Sequence, residues 1–446
     1  MLRLYQNNQI KNHNLICLYN ISLMLTLDKS IKQINGPVNV VRLEGTINGI
    51  KKVIYLFMDM HYRIQNETEC NNIYAKDINQ YLVDNFEKLN NSDKIYDFYL
   101  ETYPPLIPTK PPIINYRDTY LAETINFFNK IFKYDTSKNR VSSPENFKNI
   151  RIHYTDIRNF FKRYHHQSMF DIRSNVDRMW QNLNYSQRDF EMIIYILSDF
   201  KNTCMLISDI LNGRYKPKVN PKINIITDES KLPKQQTPEE LFELDVQYIN
   251  YLINKMFHKY NHKNVQKKLL EYVDIINSNT TSIIKDCDEM INFCKTHLKI
   301  LSEVPQFVKH RVKFFDNHYE YNYGLSMYEI RDTLNRLHER EENLYNKFIS
   351  YFVEFMDVFF LRRFLDKDYV TNAIVYTGQY HSQVYIKVLV KDFGFKITHA
   401  SYSSITDLKK LNEEIVKKDA FEISEFFVPP IQSQCSDVTN FPENFL

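Results

Sequence analysis

The first clear pattern is a pair of apolar runs closed by a turn. "VNVVRLEG" (38–45) and "KKVIYLFMD" (51–59) are rich in β-branched and aromatic residues, and Asn48-Gly49 stands between them. This predicts a β-hairpin, because the tight turn that matches strand twist needs positive φ, which Asn-Gly accepts. Ile78, Leu82, Phe86 and Leu89 recur at helical spacing across 72–89, with Asn71 or Asn72 placed to cap. "KIYDFYLE" (94–101) reads as a short buried strand ending in Glu101, and the proline-rich "TYPPLIPTKPP" (102–112) cannot extend it. A helix over 117–132 and a further strand-like run, "NIRIHYTDIR" (149–158), complete this half.

The period then becomes helical over 159–212, 241–302 and 325–365, interrupted by a polar connection bearing lysines and prolines at 214–240. Alternation of strand and helix returns with "NAIVYTG" (372–378), the turn "GQYH", a helix over 382–393, Gly394 at its left-handed cap and "FKITHASYS" (395–403). Such a βαβ unit implies a parallel pair with a right-handed crossover. The expected fold is α/β: a mostly parallel central sheet that begins with a β-hairpin, with a large helical insertion between its two halves. The segments are an N-terminal extension (1–35), the first half of the α/β domain (36–158), the insertion (159–365), the second half (366–404) and a C-terminal tail (405–446).

Composition refines this picture. A chain of 446 residues, 43% hydrophobic and 25% charged, can build a packed core. With 57 basic and 54 acidic residues the net charge is +3, which gives no argument for nucleic acid or an acidic substrate. Asn, Ile, Lys, Tyr and Phe are abundant and Gly numbers only 7, the bias of an AT-rich coding sequence. A glycine kept against that bias points to a backbone need. The six cysteines form no CxxC pair and are expected to be reduced thiols of an intracellular protein. Residues 15–27 are the only signal-like stretch, but they contain Asn20 and Ser22 and are too short to span a membrane, so secretion is disfavoured. "YFVEFMDVFFL" (351–361) carries Glu354 and Asp357 and is expected to be an amphipathic core helix.

Candidate chemistry collects at strand ends. Asp59, one spacer and His61 finish the second hairpin strand, and continued strand geometry would send both side chains to one side while Met58 and Met60 face the packing. Glu101 closes another apolar run, and His381 follows Gly378 where a strand hands over to a helix, the end at which open α/β sheets bind ligands. Two imidazoles and a carboxylate suit a divalent metal, so His61, Glu101 and His381 are its candidate ligands. Asp59 is the candidate general base or orienting group, and Arg158 the candidate stabiliser of developing negative charge. Gly378, His153 and Asp156 are supporting candidates. Plain readings stand beside these: a histidine capping a buried strand, or a solvated strand-end carboxylate. His258 and His262 lie in a basic stretch (252–268) expected to be solvated, and Cys287, Cys294 and His297 read as core packing. The adjacent His165 and His166 cannot face one point. Asp-x-His alone would also suit a calcineurin-like phosphoesterase, but no G-N-H box follows.

"LFMDMH" (56–61), Glu101 and "GQYH" (378–381) resemble the motif set of the TraB/PrgY/GumN–Tiki group and its wider clan, which includes ChaN-type haem-binding lipoproteins and erythromycin esterases. The Tiki-like pattern is a G-x-x-H after a hairpin strand, a helix and a strand ending in Glu, a helical middle, and a second G-x-x-H opening a late βαβ unit. Gly378 to His381 matches the second box in full. In the first box His61 fits, Met58 stands where Gly is expected, and Asp59 stands where the ChaN-like version has Glu. The group also uses an arginine in its middle region, for which Arg158 is the candidate. The resemblance covers about 38–158 and 372–403; the composition also resembles uncharacterised proteins of giant amoeba-infecting DNA viruses. It implies a metal-dependent hydrolase of an amide or ester bond, holding a divalent cation of unspecified identity and acting on a peptide or small molecule. There is no strong nucleic-acid signal and no expected membrane span, and the expected location is intracellular, in host cytoplasm or virion if the protein is viral. The alternative is a non-catalytic structural or host-interaction protein on the same scaffold, with Met58 marking a lost site.

Overall fold

A computed structural model describes residues 28–64, 69–102, 119–135, 140–158, 165–215, 249–303, 310–314, 317–321, 327–430 and 433–446. The signal-like run at 15–27, nearly all of the proline-rich segment and most of the 214–240 connection lie outside the described residues.

The chain is mixed α/β. Its first half contains β1 (Gln33–Asn35), β2 (Asn39–Ile47), β3 (Ile50–Asp59), β4 (Lys76–Asp77), α1 (Ile78–Lys88), β5 (Tyr96–Leu100), α2 (Tyr120–Ile131), β6 (Lys133–Asp135), β7 (Arg140–Ser142) and β8 (Ile150–Tyr154). The hairpin between β2 and β3 turns through Asn48 and Gly49 at φ 49° and 83°, as a two-residue turn requires. The helical middle holds α3 (His165–Asn182), α4 (Gln187–Leu211), α5 (249–257), α6 (Lys263–Glu303) and α7 (Met327–Asp366), with a hairpin of β9 (His310–Phe314) and β10 (Asn317–Tyr321) between the last two. Then follow β11 (Asn372–Gly378), α8 (Gln379–Phe393), β12 (Lys396–Ala400), α9 (Leu408–Lys417), α10 (Ser424–Phe427) and β13 (Cys435–Asp437).

The central sheet runs β12-β2-β3-β11-β5-β8. β11 lies parallel between β3 and β5, and β5 is parallel to β8, while β2 is antiparallel to both β3 and β12. The last βαβ unit therefore departs from expectation: β11 and β12 point the same way but do not pair. Both edges of β11 are taken, so β12 adds to the free edge of β2 and the hairpin stands between them. The register places Gly378 beside Asp59 and Tyr376 beside Leu100, so β3, β11 and β5 finish level with one another.

Strand alternation builds two cores. Ile54, Leu56, Met58 and Val375 face α8 and the last turns of α7. Tyr55, Phe57, Ile374 and Tyr376 face α1, α2 and the C-terminal Phe441 and Phe445. A third core lies among α3, α4, α6 and α7, where Leu197, Cys204, Cys287, Cys294 and Phe348 are buried. α6 and α7 have 41 and 40 residues and reach from that bundle onto the sheet, which Val265, Leu269, Phe360 and Phe364 help to cover.

The tail is not peripheral. β13 pairs antiparallel with β1, and Phe445 packs edge-on against Tyr55 and Phe57. Cys70 and Cys435 form a disulfide, which overturns the reduced-thiol expectation for this pair. Cys204, Cys287 and Cys294 are free and buried, and Cys17 lies outside the described residues. Among the described residues no helix is long and apolar enough to cross a membrane.

Candidate active site

The level ends of β3, β5 and β11 bring Asp59, Glu101 and Gly378 side by side. Asp59 is 1% exposed, and its Oδ2 accepts a hydrogen bond of 2.8 Å from the Tyr376 hydroxyl. His61 does not continue the strand. Its φ is +55°, and a turn returns it to Asp59, whose Oδ1 accepts from the His61 N–H at 2.5 Å and lies 3.1 Å from its Nδ1. A turn closed by an Asp side chain on the backbone two residues on thus sets the spacing, rather than the pleat. The ring's Nε2 is left free and stands 3.8 Å from Glu101 Oε2.

The second arm mirrors the first from the other face of the sheet. His381 occupies the first turn of α8; its Nδ1 lies 2.7 Å from Asp357 Oδ1, and its Nε2 lies 3.6 Å from Glu101 Oε1. Tyr385 is hydrogen-bonded to Asp357 as Tyr376 is to Asp59. The order through the site is Tyr376, Asp59, His61, Glu101, His381, Asp357, Tyr385. Glu101 also accepts from the Thr377 hydroxyl at 2.8 Å and from the Gly378 N–H at 2.6 Å, at the positive end of α8. A side chain at Gly378 would have to displace His61, since its Cβ would lie 2.7 Å from His61 Nε2.

Electrostatics follow from this packing. Burial disfavours the Glu101 charge, but His381, His61, Arg158 and the Gly378 N–H outweigh it and hold the carboxyl at about 2. Burial likewise opposes protonation of His381, yet the charges of Asp357 and Glu101 push it up to about 9. His61 is raised too: burial acts downward, and the Asp59 hydrogen bond with the charges of Glu101 and Asp59 prevail. Burial raises Asp357, against the pull of His381.

Residues 32–446 match the model of a family described as "Family of unknown function (DUF5847)". The chain belongs to that family. It is 39% identical over 425 residues to "Uncharacterized protein R706" of Acanthamoeba polyphaga mimivirus, covering 94% of this chain and 98% of the relative. "Uncharacterized protein R161" and "Uncharacterized protein R160" of the same virus are 38% and 35% identical, over 95% and 96% of this chain and the whole of each relative. The chain's relatives are thus giant-virus proteins. No solved structure matches.

His61, Glu101 and His381 therefore meet at one place, with Asp59 and Gly378 beside them. Arg158 is held by Asp156 in a two-pronged ion pair, Nε to Oδ1 at 3.0 Å and Nη2 to Oδ2 at 2.7 Å, and its charge still reaches Glu101. Asp59 has no such pairing with Arg158; its partners are His61 and Tyr376. His153 lies elsewhere. It projects from the edge strand β8 with its Nε2 2.6 Å from Asp97 Oδ1, against the ring of Tyr99, and burial holds it down at about 4, against the pull of Asp97. His262, expected on a solvated face, is largely covered and engaged by Asp368, whereas Cys287 and Cys294 are core residues, as expected.

Asp357 was not predicted as part of the site. Its signal was a carboxylate within the mostly apolar run 351–361, where burial demands a partner. Among the described residues no group of three or more His, Cys, Asp or Glu side chains is placed to hold a metal ion. In kind, the donor set does fit one. Each imidazole gives its Nδ1 to a carboxylate and keeps Nε2 for a cation, the arrangement usual for metal-ligating histidines. Donors on one tetrahedral zinc lie about 3.3–3.4 Å apart, and the two Nε2–Glu101 separations of 3.8 and 3.6 Å exceed that by a few tenths of an ångström.

Proposed function

We propose that this chain is a metal-dependent hydrolase of an amide or ester bond on a Tiki/ChaN-like scaffold. The observation that carries the reading is the convergence of two histidine–carboxylate pairs on Glu101 at the carboxyl ends of three adjacent parallel strands. His61, Glu101 and His381 would hold a divalent cation, which supplies Lewis-acid polarisation of the scissile carbonyl and acidifies water. Asp59 and Asp357 fix the tautomer and aim of the two imidazoles, and Tyr376 and Tyr385 fix the carboxylates in turn. Both Asp59 oxygens are occupied, which favours an orienting role over that of general base. His61, whose side chain is 40% exposed, opens the cluster to solvent and substrate. Arg158, anchored by Asp156, sets a positive charge beside the place where an oxyanion would develop.

The test is turnover of a panel of chromogenic esters and peptides by metal-supplemented protein, wild type beside Glu101→Gln. A loss of about 10²-fold or more is expected in the variant; equal turnover in both would refute the assignment. A second reading, a non-catalytic protein on the same scaffold, is favoured by one observation: each imidazole is already held by a carboxylate at Nδ1, and both face the Glu101 charge at ion-pair distance. It gains if the wild type turns over nothing on the panel.

A further inference from the structure

A concentration of positive charge lies away from the strand ends. α5 and the turn after it meet the last turns of α7 around a cavity of about 370 Å³. Lys255, Lys259, Arg362, Arg363 and Lys367 line it, and no carboxylate does. The place is the opposite end of the sheet from Glu101: Lys52, near the start of β3, donates to the carbonyls of Lys367 and Val370 just before β11.

These cations have aromatic rings and one carboxylate against them but leave donors unmatched: Lys255 lies over the Tyr251 and Phe359 rings, Arg362 over Tyr260, and Lys367 pairs with Asp366. Arg362 is 5% exposed, and one of its terminal nitrogens donates to the Lys259 carbonyl. Its Nε is buried with no hydrogen-bond acceptor among the described residues, and so is the Nε of Arg363. Asp366, the carboxylate whose charge acts on Arg362, accepts from the Asn261 and His262 N–H groups and from Lys367. Burial and the neighbouring charges of Arg363, Arg362, Lys367 and Lys259 hold Lys255 down at about 8. A buried N–H without an acceptor inside a cluster of like charges is unfavourable to build. An anion would relieve both defects.

We propose that this cavity binds the phosphate chain of a small ligand of the di- or triphosphate class. Arginine forks and lysine point charges match phosphate oxygens, and five cations exceed what one phosphate group would neutralise. The cavity's size is that of a small-molecule site. A nucleic-acid duplex reads exposed surface, whereas Arg362 is enclosed. The basic stretch 252–268 is thus not merely solvated, since Lys255 and Lys259 turn toward α7. The proposal does not depend on the hydrolase reading.

The test is calorimetric titration of the full chain, without added divalent metal, with inorganic tripolyphosphate and separately with adenosine triphosphate. Tripolyphosphate is expected to saturate one site, and the double variant Lys255→Gln, Lys259→Gln to bind tenfold or more weakly. These two side chains are half-buried and exposed, so the variant tests binding with the core untouched. Equal affinity for both probes assigns the phosphate chain alone; tighter binding of the nucleotide adds a contact to its nucleoside; both outcomes support the proposal. It is overturned if neither probe saturates below about 1 mM, if the double variant binds as tightly as wild type, or if only RNA binds and its affinity grows with length.

Discussion

Gly378 has φ −54° and ψ 147°, a conformation open to any residue, so its lack of a side chain reflects the His61 ring packed against it. Gly378→Ala should leave the backbone in place and push the imidazole toward solvent. The expected result is at least a tenfold loss of activity with a melting temperature near wild type, since Gly→Ala at a permissive φ costs no backbone strain. Unchanged activity would show that His61 need not stand where it does. Asp59, His61, Glu101, Gly378 and His381 were legible because each breaks a local pattern: a charge closing an apolar run, or a glycine retained in a glycine-poor chain. Asp357, Tyr376 and Tyr385 were not, because each sits within a regular element and only tertiary packing reveals its partner. His153 misled for the converse reason, being near in sequence to Arg158 but directed by strand alternation to Asp97.

At the scale of the element, α7 joins the bundle to the site. Its apolar residues serve the bundle core and, from Phe360 on, the sheet, while Asp357 at the junction holds His381. Its length and helical period were readable; which face served which core was not, because helical spacing gives the stripe without naming what it packs on. The helix also buries Glu341, 1% exposed, with neither carboxylate oxygen hydrogen-bonded among the described residues. Burial raises this carboxyl from 4.5 to about 7, against the charge of Arg173. Between those values the folded state keeps a proton that the unfolded chain has released, so stability falls as pH rises through the window. Glu341→Gln should remove roughly 1–3 kcal/mol of that loss. Thermal melts at about pH 4.5 and pH 8 check it: the variant should gain on wild type only at the higher pH, and parallel pH profiles would refute the burial argument.

At the scale of the molecule, the α/β class and the return of the sheet after the helical middle were legible from period alone. The strand order was not. β11 enters between β3 and β5, and nothing in the spacing of apolar residues tells which free edge a returning strand will choose. The end of the tail was legible least: Phe441 and Phe445 lie in no element long enough to show a period, yet they close one face of the sheet. Cys70 and Cys435 stand 365 residues apart, so no local spacing could announce their bond. Cys435→Ser should cost about 2–5 kcal/mol of stability, read as a lower melting temperature that reductant no longer changes. Thiol titration of unreduced, unfolded wild type should find at most four free thiols, the six cysteines less the bonded pair. Six would contradict the bond.

The two halves of the fold bring His61, Glu101 and His381 together, and on the proposed function they hold one divalent cation. The most direct test is elemental analysis after equilibrium dialysis against zinc or manganese, wild type beside His381→Ala. About one ion per chain is expected in wild type and a small residue in the variant, with both chains folded by circular dichroism. Equal metal content in the two, or none in wild type, would contradict it.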